Sequence, residues 1–467
     1  MSIQSINPAT EEVLETFERY NQEQIDEALD QARQAFVHWR ESSFAERGAL
    51  FHRLAQHLRE RKVELARTAT LEMGKPIAEA EAEVEKCAWN CDYYADNAEQ
   101  FLADEHIATN AADSYVEFQP LGVILALMPW NFPYWQVLRF AAPALMAGNT
   151  AILKHASNVS RAALDIELMF QECGFPAGVF RTVLVPGAET GKLIADRRIA
   201  AVTLTGSDAA GVAVASASGQ VLKKNVLELG GSDAFIVLED ADLDAAAQMA
   251  VRARYQNTGQ SCIAAKRFIV VEAVSEAFER KFVDAAAKLQ VGNPLERSTQ
   301  VGPLARADLR ETLDRQVQGS VRMGAKVLLG GQPLPGKGYF YAPTIVSQVT
   351  PEMPLFREET FGPVAAVIHA RDAEHAIELA NDSDFGLGGN LWTGDIARGR
   401  KLARRLESGA VFLNGMTTSD PRLPFGGVKR SGYGRELSSY GIREFVNIQT
   451  VWIGPALSTA SPPPKSE

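Results

Sequence analysis

The chain has 467 residues, enough for two or three domains, and its 46% hydrophobic and 22% charged content is that of an ordinary globular protein. A net charge of −11 argues against long-range attraction to nucleic acid or anionic lipid, and no apolar run reaches the roughly 18–20 residues of a bilayer span. The first residues lack a basic segment followed by an apolar core, and four cysteines (Cys87, Cys91, Cys173, Cys262) do not make a disulfide framework, so the cytoplasm is the expected compartment.

Residues 23–105 read as helical. Apolar residues recur at spacings of three and four over 24–39. A second run, 45–73, closes on Met73-Gly74-Lys75-Pro76, and a third covers 79–101. Their charged faces are expected to be solvated. Cys87 and Cys91 share a helix face but have no nearby His or second Cys pair, so no metal site is expected. Residues 114–119 alternate polar and apolar, a strand suited to pairing with another strand or subunit.

From 121 the pattern changes. Apolar stretches at 121–128, 150–154, 179–185 and 199–205 alternate with helical ones, which predicts a parallel sheet covered on both faces. No GxGxxG follows any of these strands. Instead Thr205-Gly206-Ser207 leaves a strand and opens a helix, whose N-terminus suits a phosphate. The next strand ends at Glu228-Leu229-Gly230-Gly231. A second alternating region runs from 233 to about 420, with strands at 235–238, 267–271, 327–329, 364–370 and 410–413. A late strand is expected at 444–452, and Pro462-Pro463-Pro464 marks 456–467 as a flexible tail.

Cys262 ends the polar stretch Asn257-Thr258-Gly259-Gln260-Ser261, between a helix beginning near Asp242 and the strand at 267–271. That is where a nucleophile would stand, and also where a small buried hydrophobe would. Taken locally, Glu228 reads equally as a base or a capping carboxylate, and Asn131 equally as a hydrogen-bond donor or a turn residue.

Six stretches taken together decide between these readings. They are Pro129-Trp130-Asn131-Phe132-Pro133, Leu204-Thr205-Gly206-Ser207, Glu228-Leu229-Gly230-Gly231, Gly259-Gln260-Ser261-Cys262, Glu359-Thr360-Phe361-Gly362-Pro363 and Pro424-Phe425-Gly426-Gly427. In this order and spacing the chain resembles the NAD(P)-dependent aldehyde dehydrogenases over roughly residues 5–455. The resemblance implies an α/β fold with a Rossmann-type cofactor domain (1–110 and 122–230) and an α/β catalytic domain (231–435). It also implies bridging strands (111–121 and 436–455) that join subunits into a homodimer or homotetramer. It makes Cys262 the nucleophile, Asn131 and the Cys262 N–H the oxyanion donors, and Glu228 the base that hydrolyses the thioester. A carboxylate at 228 favours release of a free acid over transfer to coenzyme A.

For the cofactor, NAD or NADP, the resemblance implies Lys154 at the adenosine ribose, Gly206 and Ser207 at the diphosphate, Glu359 at the nicotinamide ribose and Phe361 near the ring. Pro129, Trp130, Ala156 and Leu229 complete this set. NAD-strict members often carry Pro after the Lys and Glu three residues beyond it. Here the run is Lys154-His155-Ala156-Ser157. Ser157 leaves room for a 2′-phosphate, with Lys154 and His155 as sources of positive charge.

Arg139 follows Asn131 by eight residues among apolar neighbours, and a charge there needs a partner. Either it forms an internal salt bridge or it clamps a substrate carboxylate, as in the succinate-semialdehyde dehydrogenase branch. The second Arg of some branch members falls at Gln256, and Ser419 is a further candidate contact. Several runs resemble the short bacterial succinate-semialdehyde dehydrogenases that accept NAD or NADP. A broad aliphatic or aromatic aldehyde range is the alternative.

Overall fold

The computed structural model describes residues 2–454. The tail expected at 456–467 lies outside them.

Helix Gln22–Trp39 starts where Asn21 and Gln24 cap each other reciprocally. The single run expected at 45–73 is two helices, Phe44–Glu60 and Lys62–Met73, broken at Arg61, whose ψ of 9° leaves the helical range. Gly74, at φ 81°, ends the second, as the Gly-Lys-Pro signal predicts. The long helix Ile77–Phe101 packs on this pair and on the buried helix Trp135–Met146.

A six-stranded sheet holds Val123–Met128 at its centre. Thr150–His155 and Phe180–Thr182 lie to one side of it, and Ile199–Thr205, Lys224–Glu228 and Gly432–Tyr433 to the other. All pairings are parallel except the last. Every residue of the central strand is buried, which is why its sequence is apolar without alternation.

The second sheet has seven strands, in the order Lys326–Leu329, Thr344–Ser347, Val364–Ala370, Ala265–Val271, Asp233–Val237, Gly388–Trp392 and Ala410–Leu413. Two of these are illegible in the sequence. Thr344–Ser347 has four residues, and Gly388–Trp392 opens on two glycines, which weaken a strand signal. Gly388 is needed there, because a Cβ would lie 2.4 Å from an Asp233 oxygen. The N-terminal hairpin Ser2–Ile6 with Val13–Glu18 also went unpredicted.

The alternating segment near 114–119 is Asp113–Pro120. It pairs antiparallel with Val446–Ile453 from Val446↔Pro120 to Ile453↔Asp113. Among the described residues no helix is long and apolar enough to cross a membrane.

Candidate active site

The parallel strands of the first sheet run in the order 180, 150, 123, 199, 224, so the chain reverses direction beside Val123–Met128. Ligands of open α/β sheets bind outside the carboxyl ends of strands at such a reversal. The candidate residues gather there. Pro129, Trp130 and Asn131 follow the central strand, Lys154 and His155 end its neighbour, Gly206 and Ser207 follow Ile199–Thr205, and Glu228 closes Lys224–Glu228.

The cysteine loop is strained and heavily braced. Asn257, Thr258 and Gly259 all have positive φ (54°, 56° and 72°). Left-handed backbone costs roughly 1–2 kcal/mol per non-glycine residue and persists only where surrounding bonds impose it. The Asn257 side chain donates to the carbonyls of Asn131 (2.8 Å) and Gln260 (3.0 Å). Fully buried Arg254 donates to the carbonyls of Ala265, Gly259, Thr360 and Gly362, tying this loop to the 359–363 loop. Lys266 donates to the carbonyls of Ser261 (3.0 Å), Cys262 (2.7 Å) and Ala264 (3.2 Å). With its carbonyls drawn back, the loop leaves the Cys262 N–H without an acceptor among the described residues. Asn131 lies against the same loop, its amide donating to the Gln260 carbonyl at 3.1 Å. Burial pushes the Cys262 thiol up to about 12, although Arg139 and Lys266 pull it back.

Glu228 is 2% exposed and neither carboxylate oxygen has a hydrogen-bond partner. Burial first, then the nearby Glu436, holds it well above the usual carboxylate range. Gly426 explains the Pro-Phe-Gly-Gly motif. A Cβ there would meet Glu228 Oε1 at 2.6 Å, so only glycine lets the loop close over the carboxyl.

Of the two readings open for Arg139, the structure shows the internal ion pair. Its Nε pairs with buried Glu436, Nη2 donates to Thr205 Oγ1 (3.2 Å), and the guanidinium stacks 4.6 Å from the Phe425 ring centre. Most of its fork is therefore committed inside the protein. His155 corrects an expectation. It is 5% exposed, with Nε2 against the Pro133 carbonyl (2.9 Å) and Nδ1 accepting from the Ala156 N–H (2.9 Å). Burial moves its pKa down to about 4, so it is neutral and supplies no positive charge.

A cavity of about 670 Å³ reaches Cys262. Its walls include Phe132, Trp135, Ile263 and Phe425, with Arg139, Gln256 and Ser419 among the polar groups. Glu228 is not in the lining. Two further residues escaped sequence reading. Glu83 accepts from the Tyr134 and Trp135 N–H groups (2.9 Å each) and pairs with buried Lys75, which lies 3.7 Å from the Phe132 ring centre. Lys86 points at Ser419. Both Glu83 and Lys86 sit on the face of Ile77–Phe101 expected to be solvated, and only a partner distant in sequence distinguishes them.

On the cofactor side the residues fit a dinucleotide. The helix Asp208–Gln220 is capped by Ser207, and Gly206 leaves its N-terminus open, since a Cβ there would meet nothing nearer than Leu204 at 3.4 Å. Lys154 is half-buried and makes no ion pair among the described residues, while Ala156 and Ser157 stand partly exposed beside it. Trp130 and Phe361 meet edge to face at 5.7 Å. Glu359 accepts from the Gly231 N–H (2.9 Å) and lies 3.6 Å from Lys266, and Leu229 is anchored to the Ser431 carbonyl.

The sequence model of the aldehyde dehydrogenase family matches residues 1–451, and the chain belongs to that family. It is 51% identical over 462 residues to a succinate-semialdehyde dehydrogenase [NADP(+)] of Mycolicibacterium paratuberculosis, covering 98% of each chain. It is 50% identical over 448 residues to the succinate semialdehyde dehydrogenase [NAD(P)+] of Escherichia coli, covering 96% of this chain and 97% of that one. The crystal structure of succinic semialdehyde dehydrogenase from Streptococcus pyogenes with NADP+ superposes with a TM-score of 0.95 at 38% identity, covering 97% of this chain and all of that one. The α/β aldehyde dehydrogenase fold expected from the motifs is the fold found.

Proposed function

We propose that the protein oxidises succinate semialdehyde to succinate with NADP or NAD, through a thioester on Cys262. The observation that carries this reading is the cavity, which reaches the cysteine and whose mixed lining sets cationic and hydroxyl groups, Arg139, Lys86 and Ser419 among them, beside apolar walls such as Phe132, Trp135 and Phe425. A cavity with both apolar walls and cationic groups suits a short chain ending in a carboxylate. The relatives named above support the same substrate class.

In this scheme the Cys262 sulfur adds to the aldehyde carbon. The Asn131 amide and the Cys262 N–H stabilise the oxyanion. A bound nicotinamide would supply the hydride acceptor, and Cys262 would be left carrying the thioester. Glu228 then takes a proton from the attacking water, and succinate leaves as the thiol is restored. Burial biases both the Cys262 thiol and the Glu228 carboxyl toward their protonated forms, and each must give up a proton to act. We further propose residues 1–110 and 122–230 as the cofactor domain, 231–435 as the catalytic domain, and 111–121 with 436–455 as bridging strands. The exposed Ile448, Trp452 and Ile453 suit a homo-oligomer, and we propose the cytoplasm as its compartment.

The test is steady-state kinetics with succinate semialdehyde and butanal, each with NADP and NAD. A kcat/KM at least ~100-fold higher for the semialdehyde, about 2.7 kcal/mol of transition-state preference, is expected. Near-equal values would make the protein a broad aldehyde dehydrogenase.

A further inference from the structure

We infer that Lys86, with Ser419, reads the distal carboxylate of the substrate. The inference rests on the semialdehyde reading above and assigns its specificity to a residue on a different helix from Arg139.

Four cations line the cavity, and their partners separate them. Arg139 is held by Glu436, Arg297 is held by Glu81, and Arg252 is exposed. Lys86 is partly buried and makes no salt bridge to a carboxylate among the described residues. Its Nζ donates instead to Ser419 Oγ at 2.6 Å and lies 4.3 Å from the Trp135 ring centre. A lysine has three donors, and a serine hydroxyl together with an aromatic face does not neutralise its charge.

The surroundings sharpen this. Lys86 is repelled by Arg139, while Glu83, Asp420 and the Cys87 thiol favour its charge. Burial and that repulsion bring its pKa down to about 8, so it remains mostly charged at neutral pH. Arg139 already has a carboxylate partner in Glu436, whereas Lys86 has none bonded to it among the described residues. A carboxylate accepting from Lys86 Nζ and the Ser419 hydroxyl would supply that partner. It would also fix the far end of a short semialdehyde chain, with the aldehyde directed along the cavity toward Cys262.

The test compares the wild type with Lys86→Met and Lys86→Arg on succinate semialdehyde and butanal, with NADP. Lys86→Met should lower the ratio of the two kcat/KM values at least 10-fold, with the loss in KM for the semialdehyde. Lys86→Arg should recover most of that ratio. Equal losses for both aldehydes, or an unchanged ratio in Lys86→Met, would overturn the assignment. If the wild type itself does not prefer the semialdehyde, the substrate reading fails and this one with it. A preferring wild type with an indifferent Lys86→Met removes only Lys86.

Discussion

Arg139→Met separates a structural ion pair from a substrate clamp. Methionine keeps much of the buried stem but removes the charge that faces Glu436, itself 4% exposed. Stranding one partner of a buried pair costs about 3–5 kcal/mol, and here the stranded carboxyl also faces Glu228. For so long a chain this corresponds to a fall in the unfolding midpoint on the order of 5 °C at a fixed scan rate. Catalysis should fall for semialdehyde and butanal alike, because Arg139 lowers the pKa of both Cys262 and Glu228. Adding Glu436→Gln removes the stranded charge and should return at least half of the lost stability. The assay is differential scanning fluorimetry of the two variants beside steady-state kinetics with both aldehydes. An Arg139→Met midpoint within about 1 °C of wild type, with loss confined to the semialdehyde, would refute this account and make Arg139 the clamp.

Glu228→Gln should lower turnover by roughly 100-fold or more while an acyl adduct builds up on Cys262, visible by intact mass spectrometry after acid quench. Lost turnover without any adduct would move Glu228 to an earlier step. Because the resting thiol titrates near 12, alkylation of Cys262 by iodoacetamide should rise about tenfold per pH unit from pH 6 to 9. A plateau by about pH 8 would mean the thiol is already ionised in the resting enzyme. Ser157→Glu places a carboxylate beside Lys154 and should cut kcat/KM for NADP by about 100-fold relative to NAD, through repulsion of the 2′-phosphate. An unchanged NADP-to-NAD ratio would show that residue 157 does not face the phosphate.

The sequence by itself determined the strands of the first sheet and the loops that end them. A parallel strand buried on both faces is largely apolar, so the runs at 121–128, 150–154 and 199–205 are visible, and the candidate residues sit at the carboxyl ends of the strands they became. The order of six short motifs was likewise enough to place the chain in its family. Short or glycine-rich strands such as Thr344–Ser347 and Gly388–Trp392 carry too little local signal, and only pairing with neighbours makes them strands. Charged residues were the hardest to read, because their role depends on a partner far along the chain. Arg139 finds Glu436, Lys86 finds Ser419, and His155 is closed in by the 129–133 loop. Whether such a group is a clamp, a brace or a neutral filler is set by burial and by which acceptor the fold brings within hydrogen-bond reach, and the tertiary structure alone decides both.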